Sequence, residues 1–299
     1  MSEERELGRN YYNEEAGVAV DLATGACGLE LWNENTARQH FCCRHPHGFY
    51  IFLSPKEMAE ADEYRGGDPY GMARKITGAF QRRRINGTLQ LIRNLKSERS
   101  LRLLDIGCGQ GHITDRIKEA FPNYEIHGLD HSISAIDYAN SSFRHIDFIV
   151  ADAYHPPFEN ESFDVIVLNN IWEHVPDPLN LLKSVSRVVK PLGSLIISTP
   201  SRYRFLNLFR VCLGKSVRFV SKTHVTEYTV GQIEEQLRFG GYEMREVYSP
   251  AIRSHSIPIR VAQTCASLLI KFINSHHVLE TTVFYSAMKL PLKKTPSSG

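Results

Sequence analysis

The sequence predicts an α/β protein built on a mostly parallel β-sheet. From residue 101 onward, short apolar runs alternate with amphipathic runs at helical spacing. The first apolar run, LRLLDIG, opens into the glycine-rich stretch Gly107-Cys108-Gly109-Gln110-Gly111. The later runs recur at intervals that suit strand–helix–strand units, the sequence pattern of a parallel sheet.

Taken in order, residues 1–70 lack a sustained period and read as an irregular N-terminal extension that could cap a site, with a short capped helix at 54–64. Residues 71–97 read as a helix, with Phe80, Leu89, Ile92 and Leu95 on its apolar side. LRLLDIG is a buried strand and HITDRIKEAF a helix. YEIHGLD is a second strand and SISAIDYAN a helix with a serine cap. DFIVAD, FDVIVLN and SLIISTP are three more strands. DPLNLLKSVSRVVKPLG is an amphipathic helix closed by Pro-Leu-Gly. Beyond 200, Val230–Phe239 reads as a helix stopped by Gly240-Gly241, and EMREVYS and TTVFYSAMKL as closing strands. The stripe at 261, 265, 268, 269 and 272 reads as core packing. Residues 291–299 form a tail expected to be disordered.

Composition narrows the function classes. Of 299 residues, 42% are hydrophobic and 23% charged, ordinary for a soluble protein, and the net charge is +2. Nucleic acid is not an expected partner, because that class shows a concentrated basic face. No apolar run has the length of a membrane span, although the basic, amphipathic stretch 201–220 suits peripheral contact with a membrane surface or an anionic substrate. Six scattered cysteines and an acidic, polar start suggest a reducing, cytoplasmic setting.

The glycines sit where an open parallel sheet binds ligands, beyond the carboxyl ends of its strands. The second strand ends in Asp130, where a carboxylate can accept both hydroxyls of a ribose. Together these point to an adenosine-bearing ligand. Three features favour S-adenosylmethionine over NAD: the Gly-x-Gly-x-Gly spacing, an acid (Asp105) just inside the turn where a cationic amino group could meet it, and a final pair of strands around a helical insertion.

LLDIGCGQGHIT, HGLDHS, VADAYHPPFENESFDVIVLNNIWEHVPDP and VVKPLGSLIISTP, in that order, resemble the class I S-adenosylmethionine-dependent methyltransferases, small-molecule type. The resemblance implies a Rossmann-like three-layer sandwich with a seven-stranded, mostly parallel sheet whose last strand is antiparallel. The methyltransferase domain would span 71–290, with acceptor-site insertions at 201–228 and 250–279. It also implies a set of cofactor contacts. Asp105, Gly107 and Gly109 would line the methionine end, with Cys108 beside them. Asp130 would hold the ribose and His131 lie over the adenine. Asp152 and Ala153 would meet the adenine amino group and ring, Asn169 would sit below the sulfonium, and Arg84 or Arg83 would face the cofactor carboxylate. The product would be S-adenosylhomocysteine.

For transfer to an oxygen or nitrogen acceptor a proton must leave, and His174 and His224 are the candidate bases; Glu227 and Tyr228 share the latter's segment. The expected acceptor is a small molecule. A macromolecular methyltransferase and a non-catalytic cofactor-binding protein are the alternatives. EHVPDP and ISTPSRY resemble the ubiquinone-type catechol O-methyltransferases, but Asn170 stands where those carry an acid, which weakens a metal reading. CCRHPHG at 42–48 invites zinc, yet adjacent cysteines do not chelate well and no second pair follows. No metal is assigned.

Overall fold

A computed structural model describes residues 43–53, 57, 78–97, 99–250, 261–262, 264–266, 268 and 279–291. Apart from residue 57, the expected helix at 54–64 lies outside these residues, as does the tail from 292. In chain order the elements are β1 (Cys43–Arg44), β2 (Tyr50–Phe52), α1 (Ala79–Asn94), β3 (Arg102–Ile106), α2 (His112–Ala120), β4 (Glu125–Asp130) and α3 (Ile133–Ser142). There follow β5 (Asp147–Ala151), β6 (Phe163–Asn169), α4 (Pro178–Val188), β7 (Val189–Pro200), α5 (Phe205–Cys212), α6 (Val230–Phe239), β8 (Tyr242–Tyr248) and β9 (Thr282–Lys289).

One sheet runs in the order β1-β2-β5-β4-β3-β6-β7-β9-β8. The strands from β2 to β7 are mutually parallel, and β9 runs antiparallel between β7 and β8. The seven strands β3 to β9 are those expected from the sequence. The added pair comes from the stretch read as irregular: β2 extends the sheet in parallel beside β5, and β1 closes its edge. Their brevity hides them, since three residues cannot display a period. Tyr50, Ile51 and Phe52 are nonetheless all buried.

Alternate side chains of the central strands feed two cores. Leu104, Ile106, Ile166 and Leu168 face one side and meet Leu181, Leu182 and Val185 of α4 and Ile233 and Leu237 of α6. Leu103, Val165 and Val167 face the other and meet Ile85, Leu89 and Ile92 of α1, Ile113 and Ile117 of α2, and Ile136 of α3. Burial on both faces explains why these strands are apolar without alternation. Each such leucine or isoleucine contributes roughly 1.5–3 kcal/mol.

Two expectations need correction. The helix expected to continue to Pro-Leu-Gly stops at Val188, and Val189 already belongs to β7. The ladder to β6 shifts register after Phe163, and Leu192 takes a left-handed φ of 62° in that bulge. Pro191, lacking an N–H, is tolerated in such an irregular lead-in. The 261–272 stripe is not core where it is described: Val261 and Leu268 are 56% and 62% exposed, and Cys265 is exposed too. No described helix is long and apolar enough to cross a membrane.

Candidate functional site

The carboxyl ends of β3, β4 and β6 converge on the glycine turn. Gly107, Gly109 and Gly111 have φ of 70°, 53° and 77°, a left-handed geometry that L side chains rarely adopt. Gly107 also lacks room: a Cβ there would meet Ile171 Cδ1 at 2.1 Å. The turn is fixed from β4, because Gly107 and Cys108 both donate their N–H to the Leu129 carbonyl, at 2.7 and 3.1 Å. Asp130 locks it further. Its Oδ2 accepts from the Gly109 N–H at 2.7 Å and its Oδ1 from the Ser132 N–H at 2.9 Å. Ser132 then caps α3 by accepting from the Ala135 N–H. The carboxylate predicted for a ribose therefore also binds the glycine turn to the start of the next helix.

Asp105 is 1% exposed at the end of β3. Its Oδ2 accepts from the Thr114 hydroxyl at 2.7 Å, while Oδ1 is buried with no hydrogen-bond partner. Burial pushes its pKa up to about 7, and the Thr114 bond and the Arg84 charge only partly oppose that. A carboxylate left this way is short of one cation. Cys108 is tucked the other way. Its Sγ lies where a Cβ on Gly128 would be 3.0 Å off, and burial raises its pKa well above the usual thiol value, so it stays protonated.

Arg84, rather than Arg83, is the arginine that α1 brings to this end of the sheet. Its Nη2 donates to the Asn169 carbonyl at 3.4 Å and its Nη1 to Gln81 Oε1 at 3.3 Å. The Asn169 amide oxygen accepts from Thr88 and Ser198, both at 2.9 Å, and its Nδ2 is buried without a partner. Gln81, Thr88, Thr114 and Ser198 were absent from the sequence reading. Gln81, Arg84 and Thr88 recur at helical spacing between the apolar positions of α1, and that periodicity was the available signal. Asp152 makes its own turn: Oδ1 accepts from the Tyr154 N–H at 3.0 Å and Oδ2 lies 2.9 Å from His155 Nδ1. Ala153 packs against the core and His131 is exposed.

A second cluster forms where the segment before α6 folds over the turn after β6. Val225 and Thr226 donate their N–H groups to the Glu173 carbonyl, which brings His224 against His174. The two imidazoles stand edge to face, 4.9 Å between centroids. His224 Nδ1 is 3.0 Å from Glu227 Oε1. Glu227 is fully buried, and its Oε2 pairs with Arg204 Nη1 at 2.5 Å. The bond at Nδ1 fixes the ring and leaves Nε2 as its second functional atom. Glu173, His174 and His224 offer donor atoms within 4.8 Å of one another. Asn170 donates its amide to Glu173 Oε1 at 2.7 Å and Thr199 donates to Oε2 at 2.9 Å. Each Glu173 oxygen thus accepts one hydrogen bond, which holds the carboxylate in place beside the two imidazoles. In the N-terminal turn Cys42 and the Cys43 side chain lie outside the described residues. There His47 Nδ1 pairs with Asp137 at 2.5 Å and docks the turn on α3.

Residues 104–197 match the family model described as a methyltransferase domain. Over these residues the chain is similar to class I S-adenosylmethionine-dependent methyltransferases. A demethylmenaquinone methyltransferase of Thermotoga maritima is 32% identical over 127 residues, 42% of this chain and 52% of that protein. A malonyl-[acyl-carrier protein] O-methyltransferase of Hahella chejuensis is 35% identical over 135 residues, 43% of this chain and 48% of that protein. The chain thus spans about half the length of the curated relatives it matches. Among solved structures, the methyltransferase held in a complex with the Trm112 activator of Haloferax volcanii superposes with a TM-score of 0.53. It is 17% identical and covers 78% of this chain and all of that one. The [4+2]-cyclase SpnF superposes at 0.50, with 21% identity over 68% of this chain and 80% of its own. Both show the fold. That one is named a cyclase illustrates that the fold does not set the reaction.

S-adenosylmethionine is the cofactor of this class, and the methyltransferase domain's own residues fit it. The unpartnered Asp105 oxygen suits a cationic donor and the unpartnered Asn169 N–H group a hydrogen-bond acceptor, both of which this cofactor carries.

Proposed function

We propose that the protein transfers a methyl group from S-adenosylmethionine to a small-molecule acceptor through oxygen or nitrogen. The observation that supports this most strongly is the buried Asp105 carboxylate, one oxygen unpartnered, directly beneath a left-handed glycine turn braced by Asp130. Two relatives carry names of enzymes that methylate small or carrier-bound molecules, which favours that acceptor class.

S-adenosylmethionine supplies a methyl group already activated by positive sulfur. The protein's task is to hold, orient and deprotonate. Asp105 takes the cofactor's ammonium in its ionised form, and Arg84 takes the carboxylate. Gly107 and Gly109 admit the chain closely, and Asp130 accepts the ribose hydroxyls while Asp152 and Ala153 meet the adenine, with His131 over it. Asn169 offers its amide near the sulfonium. Holding both reactants in line removes an entropic barrier. His224, oriented by Glu227, removes the acceptor's proton through Nε2, and His174 stands beside it as the second base. Each acts through a ring-nitrogen lone pair.

The test is thermal shift and calorimetry with S-adenosylhomocysteine and NAD, followed by transfer of labelled methyl from S-adenosylmethionine to a panel of quinols, phenols, amines and acyl carriers. Binding of S-adenosylhomocysteine and label in one small-molecule class supports the proposal. A shift with NAD and none with S-adenosylhomocysteine overturns it.

A further inference from the structure

Helix α5 is amphipathic in the wrong sense for a protein surface. An ordinary surface helix turns its apolar stripe inward. Here the inward residue is polar: Asn207 is 2% exposed, donates to the Arg202 and Arg218 carbonyls at 2.8 and 2.9 Å, and accepts from the Arg218 N–H at 3.0 Å. The outward stripe is Leu206, Phe209 and Leu213, at i, i+3 and i+7, each between 56% and 60% exposed. On the following loop Phe219 and Val220 are exposed as well, at 37% and 49%. Large apolar side chains clustered outward are the informative exception among exposed residues, because water disfavours them.

The charge of the same segment is one-sided. Residues 201–226 contain six lysines and arginines and no acid, although the whole chain is only +2. Arg202, Arg204 and Arg210 are tied to Glu227, Thr226 and Ser216. Lys215, Arg218 and Lys222, on the loop after α5, are exposed. A second copy of the chain would bring like charges face to face, which disfavours self-association through this patch. An exposed apolar stripe followed directly by a cationic loop matches a surface that is greasy at depth and anionic at its rim.

We infer that α5 and the loop 214–222 form a docking surface for an anionic lipid bilayer, with Leu206, Phe209 and Leu213 entering the interface and Lys215, Arg218 and Lys222 facing lipid phosphates. The helix follows the carboxyl end of β7, and Arg204 at its N-terminus is the partner of Glu227. Docking therefore sets the His174–His224 cluster next to the bilayer. The inference does not depend on the methyl-transfer reading.

The experiment is flotation of the full chain with vesicles of phosphatidylcholine alone and of phosphatidylcholine mixed equally with phosphatidylglycerol. Selective binding to the mixed vesicles, weakening as salt rises, is expected. Lys215→Ala with Lys222→Ala lowers partitioning by roughly 25-fold, about fivefold per cation. Leu206→Glu with Phe209→Glu lowers it by on the order of a hundredfold. Both pairs are exposed, so melting temperature and S-adenosylhomocysteine binding stay as in the parent protein. No binding to mixed vesicles overturns the inference. So does equal binding to both vesicle types, or retention of binding by the Leu206→Glu, Phe209→Glu protein.

Discussion

The glycine turn and the histidine cluster both follow the carboxyl ends of neighbouring parallel strands, β3 and β6, but are built by opposite means. The turn is local. Residues 105–132 supply nearly every contact, and β4 follows β3 closely enough that its backbone fixes the turn. The histidine cluster is assembled from afar: Glu173 and His174 come from the turn after β6, His224 and Glu227 from the approach to α6, and Arg204 from the start of α5. A site of the first kind is rigid and legible. A site of the second kind depends on buried ionic contacts between segments and can be reshaped without touching the first.

Removing a cluster residue should therefore cost global stability. Glu227→Ala strips Arg204 and His224 of a fully buried carboxylate and should lower unfolding free energy by about 3–5 kcal/mol. Urea denaturation checks this, and a loss under about 1 kcal/mol would show that the two regions are not so differently built. His224→Gln, which keeps the size of the group, should leave S-adenosylhomocysteine affinity unchanged and lower kcat by about a hundredfold or more. Equal losses in binding and turnover would place the ring at the cofactor instead. On the local side, Gly107→Ala forces a side chain into left-handed φ against Ile171 and should cost about 1–3 kcal/mol, read as a lowered melting temperature. Ser132→Ala removes the α3 cap, about 1 kcal/mol, without loss of the strand pairing.

The same contrast explains what the sequence displayed. The five strands and three helices between 101 and 200 carry strong periods and turn residues, so their order was readable, as were Asp105, Asp130 and Asn169. The β1–β2 pair was not, since two short strands give no pattern. Asp152 was readable as a strand-end acid, but its bonds to Tyr154 and His155 emerge only in three dimensions. His174 and His224 were each visible singly. Their edge-to-face contact across 50 residues, and Arg204 behind Glu227, were beyond any local signal. The stretch 201–220 was readable as basic and amphipathic, suited to a membrane surface or an anionic substrate, but its pattern says nothing about which way the stripe of α5 points.

Asp105 offers the most direct test. Its folded pKa near 7 lies above the usual carboxylate value, so in the free protein its contribution to stability is full at low pH and is lost as pH rises through about 7. A ligand ammonium reverses the preference by selecting the ionised form. The measurement is the affinity of S-adenosylhomocysteine from about pH 5.5 to about pH 8.5, for the parent protein and Asp105→Asn. The account predicts an affinity that rises up to about tenfold per pH unit below pH 7 and then levels off, with weaker, nearly flat binding for Asp105→Asn. A parent profile as flat as the variant's, at equal affinity, would contradict it.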